Sequence, residues 1–220
     1  MFLKTLWILG MMACWGLLQP AVPIQVVCFG DSITHGAEVD GHSWVWMLQQ
    51  QHATNQWQFI NAGRNGRKTA DKQELLPVLQ QYPHAAFYLI FLGVNDLKNA
   101  SSAQVDSCVR NMQWMIDRIR EVNPQASIVI LSPCNVNLHT MSALNRQKQY
   151  NIRTQQALFQ LEKQYRRLAR RMHTGFLSLL HVVAPEHYVD GLHPDLAGQQ
   201  EIADAVWTYL THHFPQTFHT

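Results

Sequence analysis

Ile24-Gln25-Val26-Val27-Cys28-Phe29-Gly30-Asp31-Ser32-Ile33-Thr34 changes character halfway along. Residues 24–29 form a short apolar run with β-branched side chains, the composition of a buried strand. Gly30-Asp31-Ser32 then interrupts it with turn-forming residues. In open α/β sheets the carboxyl ends of the strands are where ligands bind, so a hydroxyl placed there is a candidate for chemistry. Taken alone, Ser32 reads equally well as a turn residue or a helix cap, and the rest of the chain has to decide.

Four more apolar runs, at residues 57–61, 86–92, 127–131 and 176–179, alternate with helical patterns. Such alternation is the signature of βαβ units and a parallel sheet. Helices are expected at residues 44–52, 71–81, 101–122 and 142–172, and in a last segment capped by Asp195. Pro77 falls inside the second of these, where it would break a helix interior. In the third, Val105, Cys108, Val109, Met112, Ile116 and Ile119 recur at helical spacing, and Ser101 with Gln104 can form a capping box. In the fourth, Lys163, Arg166, Arg167, Arg170 and Arg171 make a basic face opposite Leu161, Leu168 and Met172, read as solvated. The last helix is expected to bury Ile202, Val206 and either Tyr209 or Leu210. These elements predict an α/β fold, a flavodoxin-like three-layer α/β/α sandwich on a five-stranded parallel sheet. Right-handed crossovers then bring every strand-to-helix loop to one edge.

The 220 residues are 47% hydrophobic, enough for one domain with a substantial core. Charged residues make up 15% and the formal net charge is +2, so nothing calls for a polyanion and no nucleic-acid partner is expected. Lys4, the apolar stretch at residues 6–18 and the small Ala21 read as a secretory signal peptide over residues 1–21. The domain then occupies residues 22–220, and the mature protein is expected to be secreted or periplasmic. If the segment is retained, it would anchor the protein to a membrane. Beyond it, Cys28, Cys108 and Cys134 are too few for a disulfide framework and read as buried free thiols. With no Cys-x-x-Cys pair and no His-Glu-x-x-His string, neither a metal nor a cofactor is expected.

Three blocks follow Gly30-Asp31-Ser32-Ile33-Thr34 in order: Asn61-Ala62-Gly63, Gly93-Val94-Asn95-Asp96 and Asp190-Gly191-Leu192-His193. Together the four resemble the GDSL, or SGNH, family of serine esterases and lipases, over about residues 24–210. The resemblance implies the strand order 2-1-3-4-5. It implies Ser32 as nucleophile, His193 as base and Asp190 as the acid that orients it. It also implies an oxyanion hole from Gly63, Asn95 and the Ser32 N–H. The residues permit these roles independently. Asp190 and His193 stand three apart in a turn-rich stretch, where side chains nearly eclipse, and a carboxylate on Nδ1 would fix the tautomer a base needs. Gly63 has no Cβ, which would let its N–H approach a substrate closely. Asp31 and Asp96 read as braces for these loops.

The expected activity is hydrolysis of carboxylic esters, with short acyl or acetyl groups favoured, on a small-molecule, glycan or lipid ester. Rivals are a carbohydrate O-acetylesterase, a lysophospholipase or thioesterase, and a non-catalytic glycan-binding module of the cell envelope. Arg64, Arg67 and Lys68 crowd the loop beside Gly63 and are expected to be solvated; otherwise they would favour an anionic substrate. Residues 133–141 form the one connection long enough to roof the site.

Overall fold

The computed structural model describes residues 23–52 and 56–215; the segment read as a signal peptide lies outside the described residues. Five strands form one sheet: β1 (Ile24–Gly30), β2 (Trp57–Gly63), β3 (Phe87–Phe91), β4 (Ser127–Leu131) and β5 (Gly175–Leu177). All pairings are parallel, in the order β2-β1-β3-β4-β5. This is the predicted topology. Strand periodicity sends alternate side chains to opposite faces. Val27, Phe29, Tyr88, Ile90, Ile128 and Ile130 share one core with α3 (Leu75–Gln81), α4 (Ser102–Val122) and α6 (Ile152–Met172). Val26, Cys28, Phe87, Leu89, Phe91, Val129 and Leu131 share the other with α2 (Trp44–His52) and α7 (Leu196–His213). Helices on both faces explain why the central strands β3 and β4 are continuously apolar rather than alternating.

Gly30 lies level with Gly63 on one side and with Phe91 on the other. The strands β2, β1 and β3 therefore end at one height, and the loops that follow them converge. Ser101 and Gln104 do form the capping box of α4. Cys28, Cys108 and Cys134 are free and buried, and Leu210 rather than Tyr209 completes the buried stripe of α7. Arg166 pairs with Glu162 and lies over the Phe176 ring at the surface. Among the described residues no helix is long and apolar enough to cross a membrane.

Two expected helices are each divided. Residues 69–81 form a 3-10 turn (Thr69–Glu74) followed by α3. Pro77 falls in the first turn of α3, where a missing N–H breaks no intrahelical bond. Residues 142–172 divide into α5 (Ala143–Gln147) and α6. Between them Gln149 adopts φ +68, and the Asn151 side chain accepts from the N–H groups of Arg153 (2.9 Å) and Thr154 (3.4 Å). That side chain competes with a continuous helix for backbone donors and starts a new helix instead. The interruption turns Tyr150 into the core, 3% exposed.

Candidate active site

Ser32 opens a single helical turn, α1 (Ser32–His35), immediately after β1. Asp31 caps that turn, accepting from the Ile33 N–H at 3.0 Å. Burial pushes the Asp31 carboxyl up to about 7. The Ile33 N–H and the charges of His193 and Arg67 only partly oppose that shift, and Asp96 adds to it. Ser32 Oγ lies 3.0 Å from His193 Nε2, although 161 residues separate them.

His193 is held by its own turn. Its Nδ1 lies 2.9 Å from Asp190 Oδ2. Asp190 Oδ1 accepts from the N–H groups of Leu192 (3.0 Å) and His193 (2.8 Å), while Oδ2 also accepts from Asn145 Nδ2 (2.8 Å). Burial alone would raise the Asp190 pKa. The hydrogen bonds from the His193 ring and backbone, the His193 charge and the Leu192 N–H outweigh it and hold the carboxyl well below its usual range. An ionised carboxylate only accepts, so Nδ1 carries the ring proton and Nε2 presents a lone pair to Ser32 Oγ. This geometry can remove a proton from the serine hydroxyl.

Asn95 lies in a 3-10 turn, Val94–Asp96, just beyond β3. Its Oδ1 accepts from the Tyr150 hydroxyl at 2.7 Å, and its Nδ2 donates to the Arg67 carbonyl at 3.2 Å. Asp96 braces this turn as expected: it accepts from the Thr69 N–H and, at 2.7 Å, from the Thr69 hydroxyl. The Ser32 N–H, first in its helix, has no intrahelical acceptor.

Two sequence-based expectations change here. Gly63 is needed for packing, because a Cβ would sit 2.3 Å from the His35 nitrogen, and its N–H already donates to Asn61 Oδ1 at 2.9 Å. Two amides of that loop, Asn65 and Gly66, have no acceptor for their N–H among the described residues, and only Gly66 lacks a Cβ. Arg67 is not solvated but 6% exposed. Its Nη1 donates to the carbonyls of Gly30 (2.5 Å) and Ala62 (2.6 Å), its Nε to Glu74 (3.0 Å), and it lies 4.1 Å from the Phe29 ring centre. It therefore clamps the ends of β1 and β2. Arg64 is neutralised by Asp71 and Glu74 at the surface, and Lys68 is exposed. The anionic-substrate alternative loses both arginines.

Residues 133–141 are pinned to the Asp190–His193 turn. The Asn137 N–H donates to the Gly191 carbonyl at 2.8 Å, and the Ser142 N–H to the Asp190 carbonyl at 3.0 Å. Gly191, at φ +78, lets the two segments touch: a Cβ there would lie 2.5 Å from Met141 Cα. On the opposite rim the Glu38 carboxylate lies within 4.8 Å of the Asp190 and His193 ligand atoms. It helps to wall a cavity of about 440 Å³ with Val39, His42, Val189 and Leu196. Sequence reasoning missed Tyr150, Asn145 and Glu38. No spacing could have flagged them, because each reaches the site only through the tertiary fold.

Residues 28–201 match the family model for the GDSL-like lipase/acylhydrolase family. Esterase TesA of Pseudomonas aeruginosa is 26% identical over 217 residues, covering 94% of this chain and 98% of that protein. An uncharacterized protein of Mycoplasma pneumoniae is 28% identical over 109 residues, but the chain spans only 12% of its length. A carbohydrate acetylesterase family member from Sinorhizobium meliloti superposes with a TM-score of 0.70 at 20% identity, covering 86% of this chain and 97% of that one. With the family model matched over most of its length, the chain belongs to the GDSL-like lipase/acylhydrolase family and is a serine hydrolase of ester bonds.

Proposed function

We propose that this chain is an exported esterase that cleaves short-chain carboxylic esters through an acyl-enzyme on Ser32. His193 Nε2 takes the Ser32 proton as Oγ bonds to the ester carbonyl carbon. The tetrahedral oxyanion is received by the Ser32 N–H and Asn95 Nδ2, with Gly66 supplying the N–H first assigned to Gly63. When the bond to the alcohol breaks, His193 returns the proton to the departing oxygen, and the acyl group stays on Ser32. Water then repeats the sequence and releases the acid. Asp190 stays ionised throughout and orients the imidazole. The observation that carries this reading is the continuous relay from Ser32 Oγ to His193 (3.0 Å) to Asp190 (2.9 Å). Ser32→Ala should fold normally yet lose nearly all esterase activity and all labelling by a fluorophosphonate. Labelling retained on that variant would overturn the assignment.

Small substrates are favoured because the cavity that Glu38 walls beside His193, about 440 Å³, is open to solvent rather than an enclosed tunnel. A short chain buries few methylenes, each worth about 0.8 kcal/mol, so lengthening it gains little. Across nitrophenyl esters from acetate to palmitate, kcat/KM should peak between acetyl and butyryl. A maximum at the long-chain end would favour the lysophospholipase or thioesterase reading. The likeness to the Sinorhizobium meliloti acetylesterase keeps a carbohydrate O-acetyl group as the runner-up substrate, to be measured beside the nitrophenyl series. Export rests on the sequence of residues 1–21. N-terminal sequencing of protein recovered outside the cytoplasm should find that segment removed; recovery with the membranes, segment intact, would make it an anchor.

A further inference from the structure

We infer that Tyr150 is a positioning residue for oxyanion stabilisation: its phenol locks the Asn95 carboxamide so that one Nδ2 hydrogen is left for the substrate oxygen. The inference rests on the Ser32 chemistry proposed above and adds a residue to it.

A carboxamide is nearly symmetrical in shape, so its orientation is decided by its partners. On one side of Asn95 stands the Arg67 carbonyl, 3.2 Å away, which can only accept. The Nδ2 end must therefore face it, since the reverse orientation would set two acceptors against each other. On the other side the Tyr150 hydroxyl, 2.7 Å from Oδ1, supplies the matching donor. The two anchors agree on a single orientation. One Nδ2 hydrogen goes to Arg67, and the second has no acceptor among the described residues. Asn95 is 5% exposed and Tyr150 3%, so little water competes for these bonds. Burial, followed by the negative charges of Asp31, Asp190 and Asp96, pushes the Tyr150 hydroxyl well above its ordinary pKa, which keeps it a donor.

Tyr150 is itself fixed on several sides. Its N–H donates to the Asn145 carbonyl at 3.1 Å, and the Gln149 carbonyl accepts from the Asn99 N–H at 2.9 Å. Lys98 Nζ lies 5.2 Å from its ring centre. The break between α5 and α6 is what brings the phenol to Asn95.

The test is a double-mutant cycle on the full chain with nitrophenyl acetate. Tyr150→Phe keeps the ring and removes only the donor. It should lower kcat roughly five- to tenfold with KM unchanged, as for an interaction realised in the transition state. In an Asn95→Ala background the same change should do nothing further. In nitrogen-resolved NMR spectra, Tyr150→Phe should shift the Asn95 side-chain amide while leaving the Ser32 backbone resonance in place. Full kcat in Tyr150→Phe, or losses that multiply in the double variant, would overturn the inference. Wild-type kcat in Asn95→Ala alone would instead bring down the oxyanion reading on which it stands.

Discussion

In the mechanism we propose, the Asp190–His193 turn and the Asn95 pocket serve one serine, and they are built in opposite ways. The first is local: acid and imidazole stand three residues apart, and the Asp190 carboxylate takes two backbone N–H bonds from its own turn. The second is assembled across the chain, with Asn95 held by Tyr150, 55 residues away, and by Arg67, 28 residues away. Asn145 joins the two, donating through its side chain to Asp190 and accepting the Tyr150 N–H on its carbonyl. A base must keep one tautomer, which a single neighbouring carboxylate can enforce. An oxyanion donor must keep a direction in space, which takes anchors from more than one element.

The assembled half should be the more fragile, and Asn95 is where that shows most. Asn95→Ala should lower kcat by roughly 10²–10³ with little change in KM. A large rise in KM at unchanged kcat would make it a ground-state binding residue and remove the pocket's role in the transition state.

Arg67→Met comes next. It leaves the Gly30 and Ala62 carbonyls without their charged donor at the ends of β1 and β2. Unfolding by urea should show a loss on the order of 3 kcal/mol. A loss under about 1 kcal/mol would mean that the strand ends hold without the clamp.

Asp31→Asn should act in the opposite direction, toward higher stability, and the size of the gain depends on pH. In the folded protein the Asp31 carboxyl titrates at about 7 because it is buried, against about 3.9 in an unfolded chain. Between those values the folded state binds more protons, so this group lowers stability progressively as pH rises and levels off above 7. Asparagine retains an oxygen for the Ile33 N–H and carries no charge. The variant should therefore melt higher than the wild type at about pH 8, with the gap closing toward about pH 4.5. An equal gap at both pH values would show that Asp31 does not titrate in this range.

Much of the fold was legible in the sequence because strands buried on both faces must be continuously apolar and β4 had sharp polar borders. The 3-10 turn and the divided helices were not. Periodicity sees a stripe through residues 142–172 but not the Asn151 side chain that stops it. The packing role of Gly63 was hidden for a related reason. Absence of a Cβ says that something comes close, and only the folded chain reveals that it is the His35 backbone rather than a substrate.

By itself the sequence determined the parallel sheet and the edge on which its loops meet, while the resemblance of the four blocks to a known family pointed to the serine, acid and imidazole there. Hydrophobic period and short-range turn chemistry are local quantities, complete within a few residues of each position. The tertiary structure alone decided that Arg67 is a buried clamp, that residues 133–141 support the Asp190–His193 turn, and that Tyr150 faces Asn95. Those outcomes depend on which distant groups compete for the same buried donors and acceptors, and that competition is resolved only when the chain has packed.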